Sequence, residues 1–266
     1  MTFALLICPG TRSPATQRQN TNLTSTMKNV LITGANKGIG FQTARQLAEL
    51  GLFVYIGSRQ TQKGLQAEEQ LKDAGLSNVA SIELDVTNPE SIKKAKARLE
   101  GEIDALDVLI NNAGISGKQP QHISMYAIDD LREIFETNYF GAIQTTQLLL
   151  PLLRKSLAPS IINVSSEIGS LSMESSPNHS PNWDNFQSYG STKTALNAFT
   201  VLLSNELSKS NFCVNSVTPG YTATDLNQFQ GFKTAEQGAK AIVKLATSAD
   251  RGITGKFFKD EGEIPW

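Results

Sequence analysis

The chain has 266 residues, 24 of them basic and 25 acidic, a net charge of −1, and two cysteines, Cys8 and Cys213. That length holds one large α/β domain with a well-buried core or two small domains, and the even charge balance argues against nucleic acid or an anionic membrane as partner. Two distant thiols give neither a disulfide framework nor zinc spacing and suit a reducing, cytoplasmic setting; the apolar run 148–153, broken by Pro151, falls far short of the about 20 residues of a membrane-spanning helix.

Residues 1–26 carry Arg12 and Arg18, many Ser and Thr, and no acid. They can bury too little to order by themselves. Three readings stay open: a disordered tail, an organelle-targeting segment, or sequence upstream of a start at Met27. The tail and the start at Met27 are favoured, because Met27 directly precedes the first strand. Residues 27–266 are expected to form the catalytic domain.

From there, short apolar runs alternate with amphipathic segments. KNVLIT (28–33), LFVYIG (52–57), VASIEL (79–84), LDVLIN (106–111), SIINVS (160–165), FCVNSV (212–217) and GKFF (255–258) read as strands. Helices are expected over 38–50, 60–74, 88–101, 124–155 with a break near 136–138, 188–209 and 234–248. The alternation predicts an α/β fold: one Rossmann-type, doubly wound parallel sheet with helices on both faces. Such sheets bind ligands outside the carboxyl ends of their strands.

Unusual residues collect at those ends. After the first strand comes TGANKGIG (33–40), with Gly34, Gly38 and Gly40 between strand and helix. Glycine lets the backbone approach a pyrophosphate closely, and the helix start offers free N–H groups. The spacing departs from the usual Gly-x-Gly-x-x-Gly fingerprint. The second strand ends at Gly57-Ser58-Arg59, and no acid follows until Glu68. Arg59, with Lys37 in the glycine loop, suits a 2′-phosphate, so NADPH is favoured over NADH.

Further on, Tyr189 and Lys193 stand four apart on an expected helix and share one face. A neighbouring ammonium favours the phenolate and lowers the phenol's pKa. The pair reads as a tuned proton donor or as an ordinary surface pair. His122 and His179 show neither metal-ligand spacing nor a nucleophile-elbow context, so no metal site is expected and hydrolase chemistry lacks support.

Taken in order, Thr33-Gly34-x-x-x-Gly38-x-Gly40, Asp85-Val86, Asn111-Asn112-Ala113-Gly114, Asn138, Ser166, Tyr189-x-x-x-Lys193 and Pro219-Gly220 resemble the short-chain dehydrogenase/reductase family, in particular its carbonyl-reductase-like members. The likeness spans 28–225. It implies a catalytic set of Asn138, Ser166, Tyr189 and Lys193. Tyr189 would give the proton, Lys193 would tune it and hold the nicotinamide ribose, Ser166 would bind the substrate oxygen, and Asn138 would hold a relay water. It also implies a cofactor site built from Thr33, Gly34, Asn36, Lys37, Gly38, Ile39, Gly40, Arg59, Asp85, Val86, Asn112, Ala113, Gly114, Tyr189, Lys193, Pro219, Gly220, Thr222 and Thr224.

The chain departs from the family pattern before Tyr189. Twenty-three positions separate Ser166 from Tyr189, a wider gap than the family usually shows. The Ser-, Pro- and Asn-rich stretch between them reads as a loop. It resembles the insertion of monomeric carbonyl reductases, which favours a monomer over a dimer. Met173, Trp183 and Phe186 in it either line a pocket or pin the loop. Segment 221–233 reads as a lid with Gly231 as a hinge.

The expected function is NADPH-dependent reduction of a small-molecule aldehyde, ketone or quinone. The alternatives are an NAD(P)-dependent alcohol dehydrogenase working oxidatively and a non-catalytic NADPH-binding redox sensor.

Overall fold

Apolar side chains facing both ways mark the first strand, β1 (Asn29–Ile32), as a central strand covered on each side. The computed structural model describes Met1 and residues 27–266, so the readings of residues 2–26 lie outside the described residues. After β1 come α1 (Gly38–Glu49), β2 (Phe53–Ser58), α2 (Thr61–Asp73), β3 (Val79–Glu83), α3 (Pro89–Glu102) and β4 (Val108–Asn111). The second half runs α4 (Ile128–Phe135), α5 (Gly141–Leu153), β5 (Ser160–Val164), α6 (Leu171–Glu174), α7 (Gln187–Glu206), β6 (Cys213–Val217), α8 (Ala235–Ala246), β7 (Phe257–Lys259) and β8 (Gly262–Ile264).

These strands form one sheet in the order β3-β2-β1-β4-β5-β6-β7-β8, parallel except for the β7–β8 pair. The chain therefore forms a single domain. Val30 and Ile32 pack with Leu47, Ile56 and Ile242 on one face. Leu31 packs with Leu99, Leu109, Leu152 and Leu203 on the other. Each such side chain contributes roughly 1.5–3 kcal/mol by leaving water. The strand order reverses between β1 and β4, so a crevice opens at their carboxyl ends.

Three local differences from the sequence reading have physical causes. The expected break near 136–138 is a π-turn, Glu136–Phe140, joining α4 to α5, with the Gly141 N–H reaching back to the Glu136 carbonyl. The stretch before Tyr189 is not a plain loop. It holds α6, whose cap Ser170 accepts a 3.2 Å bond from the Met173 N–H, and a 3₁₀ turn, Pro181–Phe186. That stretch is moored at the far end of the chain: the Ser170 hydroxyl donates to the Pro265 carbonyl at 2.8 Å and the Ser172 N–H to the Trp266 carbonyl at 2.8 Å. Third, β8 adds an antiparallel edge strand too short to carry a period. Among the described residues no helix is long and apolar enough to cross a membrane, and no cluster of His, Cys, Asp and Glu is arranged to hold a metal.

Candidate active site

A cleft of about 770 Å³ lies over the carboxyl ends of the strands. Of the catalytic and cofactor-binding residues expected from the sequence, Thr33 and Asn138 stand behind its wall, and the others line it. Thr33 joins two strand ends. Its hydroxyl oxygen accepts the N–H groups of Asn112 and Ala113, both at 2.9 Å. The Asn112 amide returns to the Thr33 carbonyl at 2.9 Å and the Gly34 carbonyl at 3.2 Å. Asn111 points the other way and bonds Asn163 at 2.8 Å and Thr146 at 3.0 Å, bracing β4 against β5.

Gly34 and Gly38 take φ values of +63° and +60°, which side chains resist, and a Cβ at Gly34 would stand 2.9 Å from the Ala113 Cα. The start of α1 has no side-chain cap and no acid in its first turn. A bare, electropositive cradle of this kind fits a phosphate. Arg59 lines the cleft just after β2, whose Gly57 carbonyl accepts the Ala35 N–H of the glycine loop at 2.9 Å. Lys37 lines the cleft too, and its ammonium pairs with the carboxylate of Asp225, on the segment after Gly220.

Of the residues read as catalytic, Tyr189 and Lys193 sit on α7 and Ser166 just beyond β5. Tyr189 is partly open to the cleft, while Lys193 is buried. The Lys193 ammonium lies 5.5 Å from the centre of the Tyr189 ring and donates to the Val164 carbonyl at 2.8 Å. Burial pulls Lys193 down to about 8 and pushes the Tyr189 phenol up. The helical spacing predicted a phenol lowered by its lysine; here burial raises it instead. Of the two adjacent serines, Ser165 is buried and ties to the helix through a long 3.5 Å contact with the Lys193 carbonyl. Ser166 is the more open one, and its hydroxyl does not cap the turn that it begins.

Two bare positions lock that turn onto α7. A Cβ at Gly169 would come within 2.8 Å of the Lys193 backbone, and one at Gly190 within 2.6 Å of Ile168. Asn138, buried in the π-turn, accepts from the Ile115 N–H at 2.8 Å and donates to the Ile115 carbonyl at 2.9 Å and to Thr192 at 3.0 Å. Its amide is thus largely committed to holding the wall, with one lone pair of Oδ1 left for a water.

Phe186 from the insertion lines the cleft, while Met173 and Trp183 do not. Segment 221–233 closes on itself. The Ala223 N–H donates to the Lys233 carbonyl at 2.8 Å, and Tyr221 meets Phe232 edge-on at 5.7 Å. Gly231 is not a free hinge: a Cβ there would lie 2.1 Å from the Ala223 nitrogen, so it is small because two backbones touch. Sequence reasoning did not single out Asp225, Ile168 or Gln121. Their contacts cross long sequence separations and leave no local pattern.

The family model described as short chain dehydrogenase matches residues 28–235. The chain is 36% identical over 242 residues to the short-chain dehydrogenase anuI of Penicillium roqueforti (strain FM164), covering 88% of this chain and 95% of that one. It is 30% identical over 305 residues to the salutaridine reductase of Papaver bracteatum, covering 91% and 97%. Among solved structures it is similar to the NADPH-bound carbonyl reductase from chicken fatty liver, with a TM-score of 0.77, 27% identity, and coverage of 90% of this chain and 99% of that one.

Proposed function

The chain belongs to the short-chain dehydrogenase family, and on that premise we propose that it is an NADPH-dependent reductase of aldehydes, ketones or quinones with Tyr189 as proton donor. The observation that carries this reading is the convergence of Ser166, Tyr189 and Lys193 on the cleft that also holds the glycine loop. The names of salutaridine reductase and of the chicken carbonyl reductase support it.

Residues 34–40 would hold the cofactor phosphates at the start of α1, and Arg59 with Lys37 the 2′-phosphate. Asp85, Val86 and 112–114 would border the adenosine side, and Pro219, Gly220, Thr222 and Thr224 the nicotinamide side. When bound, NADPH supplies the hydride. The chain supplies the rest. The Tyr189 phenol, pushed up by burial from an already high value, is protonated across neutral pH and ready to give its proton to the carbonyl oxygen. The nearby Lys193 charge favours the phenolate left behind. Ser166 donates to the same oxygen and stabilises the charge that develops there.

The cleft also selects. Ile115, Ile168, Phe186, Leu226 and Phe229 supply apolar lining; apart from Lys193 beneath Tyr189, the charged lining residues Lys37, Arg59, Asp85 and Asp225 sit on the cofactor loops and the lid. An uncharged, largely apolar carbonyl compound fits this division. The test is consumption of NADPH and NADH by purified protein with neutral and carboxylate-bearing aldehydes, ketones and quinones. Turnover with NADPH and neutral substrates preferred is expected. Tight NADPH binding with no turnover across the panel would favour the sensor reading instead.

A further inference from the structure

We propose that Gln121 is a positioning residue for Tyr189, tethering the start of the catalytic helix to the cleft wall at Ser116. The first turn of a helix has N–H groups without helical partners. The residue before α7 is Phe186, whose ring can accept none of them, and no side chain caps the helix from that position. The orphan N–H of Tyr189 is taken instead by Gln121 Oε1 at 2.8 Å, from a residue 68 positions earlier. Gln121 is fully buried.

The other end of the same amide, Nε2, donates to the carbonyl of Ser116, on the cleft wall. One rigid plane therefore spans from the Tyr189 backbone to that wall. The main chain around it is stitched in register. The Gln121 N–H donates to the Asn185 carbonyl at 3.2 Å, and the Ile123 N–H to Gln187 Oε1 at 3.0 Å. On its other side, the Tyr189 carbonyl accepts the Thr192 hydroxyl at 2.7 Å, and Thr192 is held by Asn138. Both polar groups of the Tyr189 peptide are thus gripped by side chains. The job needs an acceptor and a donor on one arm of this length, which glutamine provides without a change of protonation. Gln121 does not line the cleft, so it acts through Tyr189.

This inference rests on the reductase reading of Tyr189. The test compares Gln121→Leu and Gln121→Glu with wild type. Three things are measured: steady-state kinetics, NADPH affinity by fluorescence titration, and amide hydrogen exchange along α7. In Gln121→Leu, exchange at Tyr189 should rise about tenfold, as one lost hydrogen bond allows, with the distal turns of α7 unchanged. Its kcat should fall roughly 10- to 100-fold, the cost of a misplacement of about 1 Å, with NADPH affinity and KM little changed. Gln121→Glu keeps the acceptor for Tyr189, so it should retain the protection and lose less kcat. Unchanged exchange at Tyr189 in Gln121→Leu would overturn the tether. So would equal loss of kcat and NADPH affinity, or of protection along all of α7. A wild type that turns over no carbonyl compound would overturn the reductase reading and the catalytic claim with it, a result distinct from a failed tether in an active enzyme.

Discussion

Lys193 holds the Val164 carbonyl at 2.8 Å while its charge stands 5.5 Å from the centre of the Tyr189 ring. One ammonium therefore docks α7 on the end of β5 and polarises the phenol beside it. Removing only the phenolic hydroxyl separates chemistry from architecture. Tyr189→Phe should cut turnover by at least about 10²–10⁴, the worth of a positioned acid. NADPH affinity, read by fluorescence titration, should stay as in wild type. Substantial turnover in this variant would remove the acid role.

Burying a lysine has a signature in stability. Its pKa is lowered from 10.5 to about 8 by burial. Between those values the unfolded chain binds more protons than the native one at this site. Stability from this group therefore rises with pH through that window and is lowest below it. Chemical denaturation of ligand-free protein at pH 7.5 and 9.5 should show the gain, on the order of 1–3 kcal/mol, in wild type relative to Lys193→Met. Parallel pH curves for the two proteins would show that Lys193 is not held in a desolvating site.

The cofactor's extra phosphate gives a third comparison. Arg59 lines the cleft and no acid flanks it on β2. Arg59→Asp should weaken NADPH roughly 10- to 100-fold, the worth of a charge-assisted contact, and leave NADH nearly untouched. Equal losses for both cofactors would place 2′-phosphate recognition elsewhere.

Asn138 makes three buried hydrogen bonds that its replacement would strand. Asn138→Ala should destabilise the fold by roughly 2–4 kcal/mol in a urea titration. Its kcat should fall as well, because Ile115 lines the cleft. A variant with wild-type stability would show that the wall at Ile115 is held by other contacts.

What could be read in advance was whatever the chain writes locally. The glycine loop, the serine pair and the Tyr189–Lys193 spacing each lie within a few residues at strand ends or on one helix face, and the family resemblance supplied their expected roles. Alternation of apolar runs was enough for the sheet, because each buried strand carries its own signal. Pairings formed only by folding stayed hidden. Asp225 meets Lys37 across 188 positions, and nothing near either residue announces it. Gln121 lies in a stretch without periodicity. Gly231 invited the reading of a hinge, since composition cannot separate a glycine that must bend from one that must let another backbone close. The helix α6 escaped notice because four residues are too few to show an apolar stripe.

The seat of the short turn 167–169 on α7 explains how the chain tolerates its long detour before Tyr189. The turn meets α7 twice, Gly169 against the Lys193 backbone and the Ile168 side chain against Gly190, each contact joining a residue before the detour to one after it. The spacing of the reacting groups is therefore set by a joint, not by the length of chain strung between its halves. Of residues 171–186 only Phe186 reaches the cleft, while Ser166 and Lys193 are seated by the joint on either side of the detour. Ile168, in the same joint, meets both α7 and the cleft, so one short turn seats the helix and shapes the wall that a substrate meets.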